Sequence, residues 1–109
     1  MKVAVIGSRE LVDIDLDKYL PKNATEIVSG GAKGIDSLAR NYAKKKGLKL
    51  SEFLPEYEKY ARAAPLKRND LIIEYADEVV AFWNGKSKGT AYVISKCKKQ
   101  GKKITVYEF

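Results

Sequence analysis

Short apolar segments alternate with amphipathic segments along the whole chain, and this alternation restricts the fold more than any other feature. The predicted strands are Lys2 to Ile6, Glu26 to Ser29, Leu48 to Phe53, Val79 to Trp83 and Ile104 to Phe109. Strands that alternate with helices form parallel sheets covered on both faces. We therefore predict an α/β fold, a Rossmann-like, doubly wound sandwich of about five mostly parallel strands, as one domain over residues 1–109.

Helices are predicted in the connections between these strands. The connections contain a weak helix from Asp13 to Leu20, a strongly periodic one from Ile35 to Ala43, one that opens at Pro65, and one from Thr90 to Cys97. Apolar residues at helical spacing define the inward faces. Residues 56–64 fit neither pattern. The predicted order is βαβαβαβαβ, with Trp83 and Cys97 interpreted as core residues.

The chain contains no histidine and one cysteine, Cys97, which excludes several classes of active site. Ser-His-Asp and Cys-His nucleophilic catalysis, histidine-ligated metal sites and cysteine-rich clusters are all excluded. The apolar runs are too short to cross a bilayer, and no signal-peptide core develops. We expect a cytoplasmic protein that has no metal, no cofactor and no membrane partner.

Basic residues outnumber acidic ones, 21 to 14, for a net charge of +7. They concentrate between Lys86 and Lys103 and in a second cluster from Lys44 to Lys49. One interpretation is a solvated, lysine-rich surface. The other is a positive field that attracts phosphates on a small ligand or on nucleic acid. No aromatic residues interleave with these lysines, as a single-strand binding surface would require.

Three glycine-containing segments follow predicted strands at their carboxyl ends. They are Gly7-Ser8-Arg9, the segment from Ser29 to Asp36, and the segment from Asn84 to Thr90. In folds of this kind ligands bind at the carboxyl ends of the strands, near the point where the strand order reverses. Glycine lets the backbone approach a ligand, and the amides at a helix N-terminus attract anions. Two such loops, each opening a helix, predict a phosphate site.

Each loop also has a structural interpretation. Gly30 and Gly31 are compatible with a simple strand-to-helix turn, and Ser87 and Thr90 with helix caps. The spacing matches neither a Walker loop nor the dinucleotide fingerprint.

The charged residues near these loops have alternatives of the same kind. Arg9 and Arg68 are either surface charges or planar forks that bind phosphate. Asp36 is either a first-turn acid favoured by the helix dipole or an acceptor for ribose hydroxyls.

Four ordered motifs over nearly the whole chain resemble the SLOG superfamily, and within it the small, single-domain YspA-like group. The motifs are Gly7-Ser8-Arg9, Ser29 to Asp36, Arg68-Asn69 and Trp83 to Thr90. The resemblance implies a Rossmann-like domain that binds nucleotides or nucleotide-derived ligands. Other members are cytokinin-activating phosphoribohydrolases, the DNA-processing protein DprA and sensors of ADP-ribose-type signals. The residues expected at the ligand are Gly7, Ser8, Arg9, Ser29, Gly30, Gly31, Gly34, Asp36, Arg68, Asn69, Gly85, Ser87, Gly89 and Thr90.

One departure from the resemblance concerns catalysis. The phosphoribohydrolase branch has a catalytic Glu in Gly-Gly-x-Gly-Thr-x-x-Glu, and here Val93 stands at that position. Cleavage of an N-glycosidic bond needs a carboxylate near its oxocarbenium-like transition state. Asp36 and Asp70 are the candidate substitutes. A carboxylate inside this cationic cluster is expected to have a lowered pKa, which suits it to electrostatic contact more than to proton transfer.

Three functions follow in order of preference. The first is a non-catalytic binding module for a phosphorylated nucleotide or ADP-ribose-like ligand, as a sensor or sequestering protein. The alternative is a hydrolase or transferase acting on nucleotide or nucleoside N-glycosidic bonds. The third is DprA-like nucleic-acid binding. Small members of the superfamily often pair, and an exposed edge strand permits a homodimer or higher homo-oligomer.

Overall fold

A computed structural model describes residues 1–109 and contains one sheet of five parallel strands. The strands are β1 (Lys2–Gly7), β2 (Glu26–Ser29), β3 (Lys49–Glu52), β4 (Glu78–Trp83) and β5 (Ile104–Glu108). Their order across the sheet is β3-β2-β1-β4-β5, and all four neighbouring pairs are parallel. The predicted Rossmann-like α/β fold is confirmed, and all of its strands are parallel.

The α-helices are α1 (Ile35–Lys46), α2 (Tyr57–Tyr60), α3 (Ala64–Tyr75) and α4 (Lys88–Gln100). Of these, α1, α3 and α4 pack on the sheet. The signals at the helix ends function as the sequence predicts. Gly47 and Gly101 end α1 and α4 in the left-handed conformation, and Pro65 lies in the first turn of α3. The ambiguous residues 56–64 form the single turn of α2 and a 3-10 turn, Ala61–Ala63.

Two apolar clusters lie on opposite faces of the sheet. On one face Ile35 and Ala39 of α1 pack on Val3 and Val5 of β1 and on Ile27 of β2.

On the other face Ile72 and Ile73 of α3 join Val93 and Cys97 of α4 against Ala4 of β1. Alternate residues of β1 therefore enter different clusters, as expected for a parallel strand buried on both faces. The prediction of Cys97 as a core residue is confirmed, because its side chain is fully buried.

The first crossover differs from the prediction. Asp13 to Leu20 does not form an α-helix, and only a 3-10 turn, Leu16–Lys18, is present. The carboxylate of Asp15 accepts the amide of Asp17 at 3.2 Å and caps this short turn. Leu16 and Leu20 are buried in the cluster that includes α1. Two anchored leucines and Pro21 cover that part of the sheet without a longer helix, so the predicted βαβαβαβαβ order is wrong at this crossover.

The strand order reverses beside β1, because the chain proceeds from β1 to β2 and β3 on one side and then to β4 and β5 on the other. Loops leaving β1 and β4 therefore diverge to opposite faces and leave a crevice between the two strand ends. None of the helices has the length and hydropathy needed to span a membrane.

Candidate functional site

A cleft of about 420 Å³ opens at the carboxyl ends of β1 and β4. It lies at the reversal of strand order, where the fold predicts a ligand site. Loops after β1, β2 and β4 form its walls together with the first turns of α3. The lining residues are Ile6, Gly7, Ser8, Arg9, Glu10, Gly30, Ala32, Lys33, Asp36, Pro65, Leu66, Arg68, Asn69, Asn84, Lys86, Ser87, Gly89 and Thr90.

The turn after β1 connects the two strands that flank the crevice. Ser8 is buried; its amide donates to the carbonyl of Phe82 at 3.1 Å, and its Oγ accepts the amide of Asn84 at 3.2 Å. A Cβ on Gly7 would overlap the side chain of Ile35, so glycine is required for α1 to pack against the end of β1. Ser8 thus links the ends of β1 and β4, Gly7 leaves room for α1, and Arg9 is exposed at the edge of the cleft.

Several polar groups in the loop between β2 and α1 form hydrogen bonds with each other. The Oγ of Ser29 accepts the amide of Gly31 at 3.3 Å, and Oδ2 of Asp36 accepts the amide of Ala32 at 3.0 Å. Gly34 has φ +70°, and a Cβ there would overlap the backbone of Arg9. Ser29, Gly31 and Gly34, which were predicted to contact the ligand, do not line the cleft. They shape the loop that does.

Asp36 is nearly buried, with 9% of its surface exposed. Burial raises the pKa of this carboxyl above its ordinary value, while hydrogen bonds from Ala32 and Ser29 and the charge of Arg68 oppose the rise. The expectation of a lowered pKa is therefore wrong for Asp36, because the loss of solvation outweighs the neighbouring charges. Its carboxylate fastens the β2–α1 loop to the first turn of α1.

Arg68 projects from α3 and braces the same loop. Its Nη1 donates to the carbonyl of Gly30 at 2.7 Å and to that of Phe53 at 3.4 Å, and its Nε donates to Oδ1 of Asn69 at 2.8 Å. Burial lowers the pKa of its guanidinium, and the nearby Arg9 adds to this effect, while Asp36 and Tyr57 oppose it. Only Nη2 has no partner in the chain, so most of the predicted phosphate fork is already engaged.

The loop between β4 and α4 is held by side-chain caps. Oδ1 of Asn84 accepts the amides of Lys86 and Ser87 at 2.9 and 3.0 Å. Ser87 is the N-cap of α4, and its Oγ accepts the amide of Thr90 at 3.3 Å. The capping role predicted for one of these hydroxyl residues is confirmed for Ser87. Gly85 has φ +79° in this turn and does not line the cleft.

Trp83 supports the β4–α4 loop from outside the cleft. Its Nε1 donates to the carbonyl of Ser87 at 3.0 Å, and the residue is half-buried. Trp83 is absent from the lining, so the indole contributes no stacking surface there. It is also less buried than a core residue, because a hydrogen bond to the loop holds it at the end of β4.

Three unpaired cations surround the cleft: Arg9, Lys33 and Lys86. All three are exposed, and their side chains form neither an ion pair nor a hydrogen bond within the chain. The backbone amides of Arg9, Lys33 and Gly89 also have no acceptor in the chain. Unpaired cations and unpartnered amides around one concave surface favour an anionic ligand. No group of three acidic or thiol side chains forms a metal site.

Ten of the predicted ligand residues line this cleft together. They are Gly7, Ser8, Arg9, Gly30, Asp36, Arg68, Asn69, Ser87, Gly89 and Thr90. The sequence analysis missed Glu10, Asn84, Lys33 and Lys86 as site residues. All four lie inside or next to the motifs it identified, so their position beside the glycines was the available signal.

Two of the three positions discussed for catalysis, Asp70 and Val93, lie outside the cleft. Asp70 pairs with Lys96 at 2.6 Å and accepts from the hydroxyl of Tyr92 at 2.7 Å, on the side of α3 that meets α4. Burial raises the pKa of Asp70, but the hydrogen bonds from Lys96 and Tyr92 and the charge of Lys96 outweigh it, so its pKa is lowered overall. Val93 is fully buried in the apolar cluster between α3 and α4. Neither residue lines the cleft.

Comparison with known proteins returned one family. The profile of the YspA, cpYpsA-related SLOG family (YAcAr) matches residues 1–60. The matched part spans more than half of the chain and includes the loops after β1 and β2, whereas Arg68-Asn69 and the β4–α4 loop lie beyond it. Neither the curated proteins nor the solved structures contain a significant match.

Proposed function

The chain belongs to the YspA, cpYpsA-related SLOG family, and from this membership we propose that it binds a phosphorylated nucleotide or an ADP-ribose-like ligand in the cleft, as a sensor or a sequestering protein. Membership of the family suggests binding or processing of nucleotide-related molecules. The observation that carries the proposal is the convergence of Arg9, Lys33 and Lys86, all unpaired, on a cleft at the reversal of strand order.

A phosphate bound there would meet both cations and amides. The amides of Lys33 and Gly89 are free, and each lies near the N-terminus of a helix, α1 or α4. Helix N-termini favour anions, and charge-assisted hydrogen bonds are about twice as strong as neutral ones. Arg9 is the best phosphate fork in the cleft, because Arg68 spends most of its donors on the protein itself.

The groups around the cleft support binding more than hydrolysis. Of the two carboxylates considered for catalysis, Asp36 is engaged by the β2–α1 loop and Asp70 by α4. The buried Val93 stands where the phosphoribohydrolase branch of the superfamily has its catalytic Glu.

Nucleic-acid binding through the lysine-rich surface has less support. Several of those lysines are paired with acids: Lys46 with Asp17, Lys49 with Glu26, Lys96 with Asp70 and Lys103 with Glu78. Such pairs reduce the positive charge left to contact a phosphate backbone.

Calorimetry with AMP, ADP-ribose and ribose 5-phosphate tests the proposal, with adenosine as the unphosphorylated control. We expect at least one phosphorylated ligand to bind, and Arg9→Ala to weaken it about tenfold or more, because a hydrogen bond to a charged group contributes about 1.5–3 kcal/mol. Lys44→Ala removes an exposed, unpaired cation from the last turn of α1 and serves as the matched control.

Two results would contradict the proposal. One is that no phosphorylated ligand binds more tightly than adenosine. The other is that Arg9→Ala and Lys44→Ala weaken binding equally, which would indicate a diffuse effect of net charge and no site at the cleft.

A further inference from the structure

The cleft contains one accessible carboxylate among its unpaired cations, and that carboxylate is Glu10. The acidic residues in the lining are Glu10 and Asp36. Asp36 was the sequence candidate for contacts to ribose hydroxyls. It is nearly buried, and one of its oxygens accepts the amide of Ala32. Little of Asp36 is therefore accessible to a ligand in the cleft.

Glu10, in contrast to Asp36, is accessible to a ligand. It is exposed and follows Arg9 in the turn after β1. The one side-chain contact it makes within the chain is with the β4–α4 loop, where Nδ2 of Asn84 donates to Oε2 at 3.4 Å. Oε1 has no partner. This carboxylate thus stands at the crevice between the ends of β1 and β4, held loosely from one side and free on the other.

A free carboxylate in this position disfavours the binding of a phosphate and favours the binding of a hydroxyl group. Carboxylates accept hydrogen bonds through both oxygens, and two neighbouring hydroxyls of a sugar supply two donors. Phosphate groups are repelled by the same charge and are drawn to Arg9, Lys33 and Lys86. The cleft therefore offers cations to a phosphate and a carboxylate to hydroxyl groups.

We propose that Glu10 accepts hydrogen bonds from the vicinal hydroxyls of the ligand's ribose and so determines its sugar specificity. The inference rests on the proposed function and deepens it. Glu10 selects ribose over 2-deoxyribose, and it disfavours ligands that carry a phosphate on those hydroxyls. Its position in the turn that also carries Arg9 couples recognition of the sugar to recognition of the phosphate.

Calorimetric titration of ribose 5-phosphate and 2-deoxyribose 5-phosphate tests the assignment with base-free probes. We expect the native protein to prefer ribose 5-phosphate about tenfold or more, as a hydrogen bond to a charged group implies. In Glu10→Ala the preference is expected to fall below about twofold. The affinity for 2-deoxyribose 5-phosphate is expected to stay the same or rise, because a negative charge leaves the cleft.

Glu74→Gln is the matched control, since Glu74 is an exposed acid on α3 without an ion pair or a place in the lining. It is expected to leave the ribose preference unchanged. Thermal unfolding of each variant verifies the fold, and the exposure of Glu10 predicts that Glu10→Ala and Glu10→Gln fold normally.

The outcomes separate this inference from the proposed function. If neither the sugar phosphates nor AMP and ADP-ribose bind, the proposed function fails and the inference fails with it. If AMP or ADP-ribose binds but neither sugar phosphate does, the proposed function stands and only the role of Glu10 is overturned. If both sugar phosphates bind equally to the native protein, or if Glu10→Ala keeps the ribose preference, only the role of Glu10 is overturned. Release of base from AMP by the native protein that is lost in Glu10→Gln would replace a specificity role with a catalytic one.

Discussion

The β2–α1 loop and the β4–α4 loop resemble each other in sequence, yet they use glycine for different purposes. Each leads into a helix and contributes to the cleft; the first contains Gly30, Gly31 and Gly34, and the second contains Gly85 and is followed by Gly89 in the first turn of α4. In the β2–α1 loop an added Cβ at Gly30 would lie 2.5 Å from Nη1 of Arg68, and one at Gly34 would overlap the backbone of Arg9. At Gly85 of the β4–α4 loop and at Gly89 in the first turn of α4, nothing lies within 4 Å of such a Cβ.

The comparison distinguishes glycines whose surroundings leave no room for a Cβ from glycines beside empty space. Glycine in the β2–α1 loop is required because other parts of the chain fill the space beside it. After the β4–α4 loop, Gly89 in the first turn of α4 leaves space that belongs to the cleft, and its amide is unpartnered. A glycine-rich segment at a strand end therefore does not by itself indicate contact with a ligand, and the occupancy of the space around each Cβ decides between the two roles.

The largest expected effect comes from Gly34→Ala. An L-residue at φ +70° is strained, and the new methyl group overlaps the carbonyl of Arg9, so we expect a loss of about 3 kcal/mol or more in the free energy of unfolding. Urea denaturation measures this loss. A loss below about 1 kcal/mol would show that the loop rearranges easily and would remove the contrast with Gly89.

The second largest effect is expected from substitution of Asp36, because its carboxylate fastens the β2–α1 loop to α1. Asp36→Ala leaves the amide of Ala32 without its acceptor, and we expect a loss of about 1–3 kcal/mol in the free energy of unfolding at neutral pH. Asp36→Asn keeps an oxygen for this hydrogen bond and is expected to lose less. Equal losses in the two variants would mean that the negative charge, not the hydrogen bond, holds the loop.

The pH dependence of Asp36 has a defined sign. Its folded-state pKa is raised by burial, so between the ordinary value of 3.8 and the raised value the folded chain binds more protons than the unfolded chain. The contribution of this group to stability is therefore greatest at low pH and falls as the pH rises through that window. Asp36→Asn removes the decline, which a comparison of urea midpoints for both proteins across the window would detect.

A smaller effect is expected from Ser87→Ala in the β4–α4 loop. Loss of the N-cap oxygen of α4 is expected to cost about 1 kcal/mol, because the amide of Thr90 loses its partner. Ser87→Asn retains a capping oxygen and serves as the control. If Ser87→Ala were as destabilising as Gly34→Ala, the β4–α4 loop would be as tightly constrained as the β2–α1 loop.

The smallest effect has the opposite sign. Gly89→Ala puts a methyl group into open space within the first turn of α4, so we expect it to raise the free energy of unfolding by about 0.5 kcal/mol. The same methyl group enters the cleft and is expected to weaken binding of a phosphorylated ligand. Stabilisation combined with unchanged binding would show that the open space at Gly89 is not used by the ligand.

Much of the fold followed from local patterns. The apolar run of β4, the helical spacing of α1 and the stop signal at Gly101 led to the correct elements, because each pattern reports burial that the sheet then supplies. The helix predicted from Asp13 to Leu20 was wrong. Its apolar residues were spaced as in a helix, but Leu16 and Leu20 reach the core from a short turn. Spacing alone does not reveal how far a segment must extend to cover a sheet.

The candidate site was predictable as a set of loops but less so as a set of contacts. Side chains that appeared available for a ligand, such as Ser29 and Arg68, are committed to partners in the protein. The partner of Arg68, Gly30, is distant in sequence, and that of Ser29, Gly31, is two residues away, but no motif shows that either side chain is engaged in this way. Lys33 and Lys86 were missed for the related reason that an exposed lysine looks the same in sequence wherever it points.

The sequence by itself determined the α/β architecture and the end of the sheet at which the polar loops gather. Strand and helix patterns are local, and parallel strands bring their carboxyl ends to one side. Only the tertiary structure decided which of those polar groups remain free. For Arg68 that outcome depends on hydrogen bonds to residues far away in the chain, and for Asp36 it depends on burial, while Arg9 and Glu10 stay exposed to solvent.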